Sequence, residues 1–295
     1  MDEVEKRMNR ILGQLVKEAE RKNAKAIGRL LKKLREEMGQ MYEKYEKGGV
    51  LTYAEMAKFN RLEKVFADIK EHTILTYDDI FKNIERALKD VYQEGYYLTA
   101  WKVQEESQKA FMQSAVSEEV VKRAVENPIS GLTLSDTLEK KRTEIEYAIR
   151  QTVNRGLIEG ATYATMAKNL KESLDNDNAK AVRIVRTEAH RVMEQGRQDS
   201  RDYADAHGVV TMKEWLSGAD ERVRDTHRRM NGKKIKNDEY FEASGGKALV
   251  PGGFGIARED INCRCITITS VESIKKPSLK DIERMTYEEF KGGLT

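Results

Sequence analysis

A histidine and two cysteines are the residues of this sequence best suited to hold a metal ion: His227, Cys263 and Cys265. Imidazole nitrogen and thiolate sulfur are ligands that zinc prefers, and these side chains would supply three of the four positions of a tetrahedral site. The Cys-x-Cys gap is tighter than the usual spacing of zinc ligands, and no fourth ligand is evident from the sequence. The candidates for that position are Asp220, His190 and His207.

Two other interpretations of this triplet stay open. In the first, the cysteines are small, partly buried residues where a loop enters a strand, and His227 is hydrogen-bonded to the loop. In the second, a cysteine and the histidine form a nucleophilic site, but the sequence assigns no third orienting residue and no glycine-rich oxyanion context to it. The residue pattern therefore favours a structural role, with or without a metal, over catalysis.

Basic residues recur along one predicted helix at spacings that put them on a common face. Four arginines of this helix are candidates for contact with nucleic-acid phosphates: Arg183, Arg186, Arg197 and Arg201. Glu194 lies among them, so the simpler interpretation is a solvated helix face with ion pairs.

Composition limits the classes of protein to which the chain can belong. Its 295 residues carry 53 Lys and Arg against 50 Asp and Glu, and a net charge of +3 is small for a dedicated nucleic-acid binder. Two cysteines cannot build a disulfide framework, and the first residues do not form a secretion signal. No window approaches the ~18 uninterrupted apolar residues of a membrane span. We therefore expect a soluble protein of intracellular origin.

The first ~130 residues are predicted to be long amphipathic helices, because apolar residues recur at intervals of three and four. Gly48-Gly49 is predicted to end one helix, and Thr76 to Asp79 to open another. The run from Asn127 to Gly131 contains a proline and is the clearest break. Beyond it, Asp175 to Asn178 is predicted to be a turn before a helix that ends at His207-Gly208.

The sequence pattern changes after Gly208. Residues 209–216 favour a half-buried strand, and residues 266–271 alternate with a period of two, so we expect two strands that are distant in sequence to pair. Trp215 is predicted to be a core anchor of the first strand. The fold class is therefore α+β and predominantly α-helical, with long N-terminal helices followed by a small C-terminal domain that has a short β-sheet and long loops.

Several C-terminal residues occur in a characteristic order. Arg186-Thr187-Glu188 lies on a helix, a tryptophan follows in a strand, and Asn262-Cys263-Arg264-Cys265 enters the last strand. Between them the sequence reads Asp220-x-Arg222-x-Arg224-x-x-His227, then Asn231-Gly232 and Pro251-Gly252. Over about residues 150 to 272, this arrangement resembles the phage Mu protein F-like head morphogenesis family.

The resemblance implies a minor head protein of a tailed bacteriophage, associated with the portal and acting in head morphogenesis. The motif residues it maps onto this sequence have a role that is either structural or metal-binding: Arg186, Glu188, Trp215, Asp220, Arg222, Asn262, His227, Cys263 and Cys265. It implies no enzyme activity and no cofactor, and it leaves a structural zinc open. The alternative is a zinc-dependent hydrolase or nucleic-acid-processing enzyme that uses His227 and the two cysteines.

The resemblance also implies a place and partners. We expect the protein in the virion, inside the head near the portal, and in the host cytoplasm during assembly, with no membrane association at that stage. The portal protein is the expected partner, with scaffold or major capsid protein and packaged double-stranded DNA as further ones; some family members leave with the DNA at infection. Residues 1–130 are expected to be a helical arm facing portal or DNA, 131–272 the head morphogenesis domain and 273–295 a tail.

Overall fold

The computed structural model describes residues 3–112, 114–127, 132–218, 221–276 and 279–294. Three of its helices are longer than forty residues and belong to the amphipathic parts of the sequence: α1 (Glu3–Tyr45), α3 (Arg61–Ser107) and α6 (Tyr163–Ala206). Three shorter helices lie between them in sequence: α2 (Tyr53–Ala57), α4 (Glu118–Glu126) and α5 (Leu134–Ile158). The predominantly helical α+β class is confirmed.

Two predicted helix boundaries are wrong. α3 runs through Thr76, whose hydroxyl donates to the His72 carbonyl one turn back instead of capping a new helix. α6 runs through the polar stretch predicted to be a turn, because Asp177 there is buried and accepts a hydrogen bond of 2.6 Å from the Tyr77 hydroxyl. The end of α1 before Gly48 is confirmed, and the proline break at 128–131 lies outside the described residues.

The chain forms two compact units, each made of discontinuous segments. One contains Glu18–Ile84 and Ser135–Ile184 and is entirely helical apart from its loops and a short bridge between Lys47 and Val50. The other contains Met1–Lys17, Glu85–Leu134 and Val185–Thr295 and carries the β-sheet. We call this second one the C-terminal unit. The division by function at residues 130 and 272 stays a prediction.

The predicted pairing of two distant strands is confirmed. β1 (Val209–Leu216) pairs antiparallel with the last strand, Ile266–Ile274, from Val209 opposite Ile274 to Leu216 opposite Ile266. Between them in sequence lie α7 (Asp225–Arg228), β2 (Lys234–Lys236), β3 (Phe241–Ala243), β4 (Gly246–Ala248) and α8 (Ala257–Asp260). With the last strand as β5, the sheet order is β2-β1-β5.

The glycine-rich loop predicted in this region contains a hairpin of its own. β3 and β4 pair through a two-residue turn at Ser244 and Gly245, which both have positive φ, as a tight hairpin turn requires. After β5, the helix α9 (Tyr287–Gly292) begins at Thr286, which forms a capping box with Glu289. Tyr287 and Phe290 of this helix are buried. No helix in the described ranges is long and apolar enough to cross a membrane.

Two glycines allow α3 and α6 to approach closely within the C-terminal unit. A Cβ on Gly196 would lie 2.5 Å from the Tyr92 carbonyl oxygen, and a Cβ on Gly95 would lie 2.6 Å from the Met193 carbonyl oxygen. Each glycine thus faces the backbone of the other helix. Backbone atoms cannot rotate away as side chains do, so these positions fix the distance between the two helices.

We predict that Gly95→Ala and Gly196→Ala each lower the free energy of unfolding by about 1–3 kcal/mol, because the added methyl group forces the helices apart. Gly13→Ala in α1 is the matched control, since a Cβ there meets nothing within 4 Å. It should be neutral or stabilising by about 0.5–1 kcal/mol through helix propensity. Chemical denaturation followed by circular dichroism measures all three, and a Gly196→Ala protein as stable as wild type would contradict the close crossing.

Candidate functional site

His227, Cys263 and Cys265 converge at one point in the C-terminal unit, as the metal hypothesis requires. His227 lies in α7, and the two cysteines lie between α8 and β5. The histidine Nδ1 is 3.6 Å from the Cys263 Sγ and 3.4 Å from the Cys265 Sγ. All three side chains are buried, with exposed fractions of 1%, 3% and 3%. Their ligand atoms lie within 4.8 Å of one another, so this group could hold a metal ion.

Local backbone geometry brings the cysteines to this point. Asp260 at the end of α8 accepts hydrogen bonds from the backbone N–H groups of Phe254 and Ile256, and its carbonyl accepts from the Cys263 N–H. Asn262 then turns the chain through the left-handed region, with φ of 57°, a conformation that asparagine tolerates. The glycine-rich loop, α8 and the Cys-x-Cys segment therefore form one hydrogen-bonded structure.

The two thiols have opposite pKa shifts. The pKa of Cys265 is lowered by a hydrogen bond from the Cys263 thiol and by His227, against the effect of burial. The pKa of Cys263 is raised by that same hydrogen bond and by burial. Cys265 is thus the more readily ionised sulfur of the pair, which suits a metal ligand because a thiolate is the ligating form.

Glu259 faces the other side of the histidine ring, and no sequence motif singles it out. Its Oε2 lies 3.0 Å from the His227 Nε2, although this nitrogen makes no hydrogen bond of good geometry. Burial alone would raise the pKa of Glu259, but hydrogen bonds from Ser244 and Thr226 outweigh it and the pKa is lowered. Glu259 and Asp260 are both buried, but in the sequence they stand in a short charged run that resembles an exposed loop.

Of the three candidates for a fourth ligand, His190 and His207 are not part of this cluster. The His190 Nε2 lies 2.7 Å from the Cys265 carbonyl oxygen, so that ring is engaged with backbone. His207 stacks on Tyr203 with ring centroids 4.0 Å apart. Asp220 lies outside the described residues.

Aromatic rings enclose the cluster. Trp215 is fully buried in β1, and its ring contacts His227 edge to face at 5.3 Å, Phe241 at 4.9 Å and Phe254 at 6.1 Å. The prediction that Trp215 is a core anchor is confirmed. Because these rings and the cysteines belong to one hydrophobic cluster, and His227 is buried beside them, the His–Cys–Cys group is part of the folded core.

A row of polar side chains on α6 contacts β5 and the segment before it. We call this row the polar seam; its members are spaced by three or four residues and are buried: Thr187, His190, Glu194, Arg197 and Arg201. The Thr187 hydroxyl accepts a hydrogen bond from the Asn262 N–H at 3.2 Å. The Glu194 carboxylate accepts two hydrogen bonds from Thr267, one from its backbone N–H at 3.0 Å and one from its hydroxyl at 2.7 Å. The seam thus joins one face of α6 to the strand that follows the cysteines.

The arginines of the seam are enclosed by protein groups. Arg197 donates to the Thr267 carbonyl and lies 3.5 Å from Glu194, and Arg201 donates to the hydroxyls of Thr267 and Thr269 at 3.1 Å. Burial and the charge of Arg197 lower the pKa of Arg201 to about 10. With exposed fractions of 1% and 0%, Arg197 and Arg201 are unavailable to phosphates, which corrects the predicted stripe. Arg183 and Arg186 are exposed.

The other motif residues have different surroundings. Glu188 is buried and pairs at 3.0 Å with Arg191, which donates to the carbonyls of Ala124 and Val125 at the end of α4. The Arg191 guanidinium thus supplies hydrogen bonds to carbonyl groups at the C-terminus of α4, which lack partners within the helix. Arg222 is exposed.

Comparison with known proteins gives two curated relatives and one family. The family model described as Phage Mu protein F like protein matches residues 147–268. The minor head protein GP7 of Bacillus phage SPP1 is 34% identical over 279 residues, which cover 93% of this chain and 90% of that protein. The NAD(+)–arginine ADP-ribosyltransferase EFV of Enterococcus faecalis (strain ATCC 700802 / V583) is 32% identical over 242 residues, which cover 82% of this chain and 50% of that protein. No solved structure matches significantly.

We predict that Glu194→Ala lowers the free energy of unfolding by about 3–5 kcal/mol, because it leaves a buried guanidinium and the Thr267 N–H without this carboxylate. Glu172→Ala is the control on the same helix, where an exposed carboxylate lies 4.0 Å from Lys168. It should change stability by less than about 1 kcal/mol. Equal effects of the two substitutions in urea denaturation would contradict the importance of the seam.

Proposed function

The chain belongs to the phage Mu protein F-like family and is a phage minor head protein, and from this premise we propose that it acts beside the portal during head morphogenesis. The observation that carries the proposal is the relationship over nearly the full length of both chains to a protein named as a minor head protein. That relationship includes the helical first half, which the family model does not match.

A minor head protein associates with other components of the phage head. We propose the portal protein as its direct partner, with scaffold or major capsid protein as further contacts, in the host cytoplasm during assembly and inside the head afterwards. In this proposal residues 1–130 face the portal or the DNA, residues 131–272 form the head morphogenesis domain and 273–295 are a tail. Packaging with the genome and exit with it are also part of the proposal.

We propose that the protein is not an enzyme and that the His–Cys–Cys group has a structural role. A catalytic metal site needs an open position for water or substrate, whereas these three ligands are enclosed by Trp215 and its aromatic neighbours. Zinc is the occupant that two sulfurs and one imidazole favour. A zinc-dependent hydrolase or nucleic-acid-processing enzyme is therefore not favoured.

We predict that particles purified from the phage or prophage that encodes this chain contain it in few copies compared with the major capsid protein. Quantitative mass spectrometry of the particles measures this ratio. Deleting the gene should lower the infectious yield while heads still form or misassemble, and supplying the gene in trans is the control. Particles of full infectivity from which the protein is absent would overturn the proposal.

We also propose that double-stranded DNA is a ligand and that Arg183 and Arg186 each contribute a phosphate contact. Counterion release then makes log K fall linearly with log salt concentration, and Arg183→Gln or Arg186→Gln should each reduce that slope by about 1. Lys247→Gln, which removes an exposed cation paired with Glu242, is the charge-matched control and should leave the slope unchanged. Binding that is independent of ionic strength would contradict phosphate contact.

A further inference from the structure

We infer that the metal ion is held through the Nδ1 of His227 and the two cysteine sulfurs, and that Glu259 is the positioning residue that orients this histidine from behind. The inference rests on the proposed structural metal site. It adds to that site a defined ligand atom on the imidazole and a role for a carboxylate that belongs to none of the motifs in the sequence.

The choice of ring nitrogen follows from the distances. Nδ1 is the nitrogen that faces both sulfurs, at 3.6 Å and 3.4 Å, whereas Nε2 faces the Glu259 carboxylate at 3.0 Å. A neutral imidazole carries its proton on one nitrogen and a lone pair on the other. A carboxylate beside Nε2 favours the proton there, and this leaves the lone pair of Nδ1 directed at the cysteines.

Glu259 is itself held in place, as a positioning residue must be. It is buried, it accepts from the Ser244 hydroxyl at 2.5 Å in the β3–β4 turn, and it accepts from the Thr226 hydroxyl at 3.0 Å next to the histidine. These bonds fix the carboxylate beside the histidine ring. Histidines that bind metals usually donate their second N–H to such a group, which fixes the ring and raises its basicity.

The cysteine segment is fixed in position as well. The Asp260 carbonyl accepts a hydrogen bond from the Cys263 N–H at 3.1 Å. His190 holds the Cys265 carbonyl at 2.7 Å, so the thiol-bearing segment is also anchored to α6.

The same atoms have one alternative chemical use. Cys265, His227 and Glu259 are arranged as a nucleophile, a base and an orienting carboxylate would be. A nucleophile must reach a substrate, however, and the Cys265 side chain is 3% exposed behind Trp215. The geometry therefore favours metal binding, and nucleophilic reactivity becomes an outcome that the experiment can detect.

The experiment uses the full-length chain, purified under reducing conditions, with zinc removed by a chelator and replaced by Co²⁺. The sequence contains only two cysteines, so any thiolate-to-cobalt charge-transfer absorption reports on Cys263 and Cys265 alone. We expect one equivalent of metal by elemental analysis and this absorption in wild type. Both should be lost in His227→Ala and in Cys263→Ser.

Glu259→Gln tests the positioning role, and Glu242→Gln is its control. Glu242 is exposed in β3, and its carboxylate lies 2.9 Å from the Lys247 ammonium group on the neighbouring strand β4. We expect Glu259→Gln to keep the charge-transfer band but to bind zinc about 10–100-fold more weakly in competition with a chromogenic chelator. Glu242→Gln should bind zinc as wild type does. Thermal melts of the metal-free proteins show whether Glu259→Gln also alters the fold itself.

Wild-type affinity in a folded Glu259→Gln protein would overturn the role of Glu259. Absence of stoichiometric metal and of the charge-transfer band in wild type would overturn the metal site, and fast alkylation of Cys265 in that protein would indicate the nucleophile instead. None of these results bears on whether the protein is present in phage particles, so failure of this inference is distinguishable from failure of the proposed function.

Discussion

The contact between α6 and β5 is the constraint on which the C-terminal unit depends. A helix face that would ordinarily carry leucine or valine carries instead the polar seam, whose members satisfy the Asn262 and Thr267 N–H groups and hold the Cys265 and Thr267 carbonyls. Buried charges of this kind are tolerated only when they are paired and hydrogen-bonded. The strand therefore has one register on the helix, because a shift would leave several buried polar groups without partners.

This register places the cysteines. Cys265 lies between the seam and the aromatic cluster, so its sulfur faces His227 while its carbonyl faces α6. Glu259 and the β3–β4 turn enclose the site from the opposite side. Within the described residues both thiols are therefore buried in the core of the unit.

Local patterns sufficed to predict β1 and β5, because alternation is visible in sequence. Ligand chemistry marked His227 and the two cysteines as a possible group but left open whether they meet, since 36 residues separate the histidine from Cys263. The continuity of α6 was not predictable, since the polar run that suggests a turn contains Asp177, whose partner Tyr77 is 100 residues away. Helical spacing identified the common face of Arg197 and Arg201 but not its environment: a polar row looks the same whether water or a strand covers it. Glu259 has no periodic signature and is recognisable only once its neighbours are in place.

Hydrogen exchange at the Thr267 amide tests the central claim most directly. This N–H is bonded to the Glu194 carboxylate, a side chain 73 residues away, as part of the buried seam. The account predicts exchange only through global unfolding, as slow as that of the β1 amides that pair with β5. Exchange of the Thr267 amide at the rate of an exposed loop, while β1 stays protected, would contradict the seam as the element that holds this unit together.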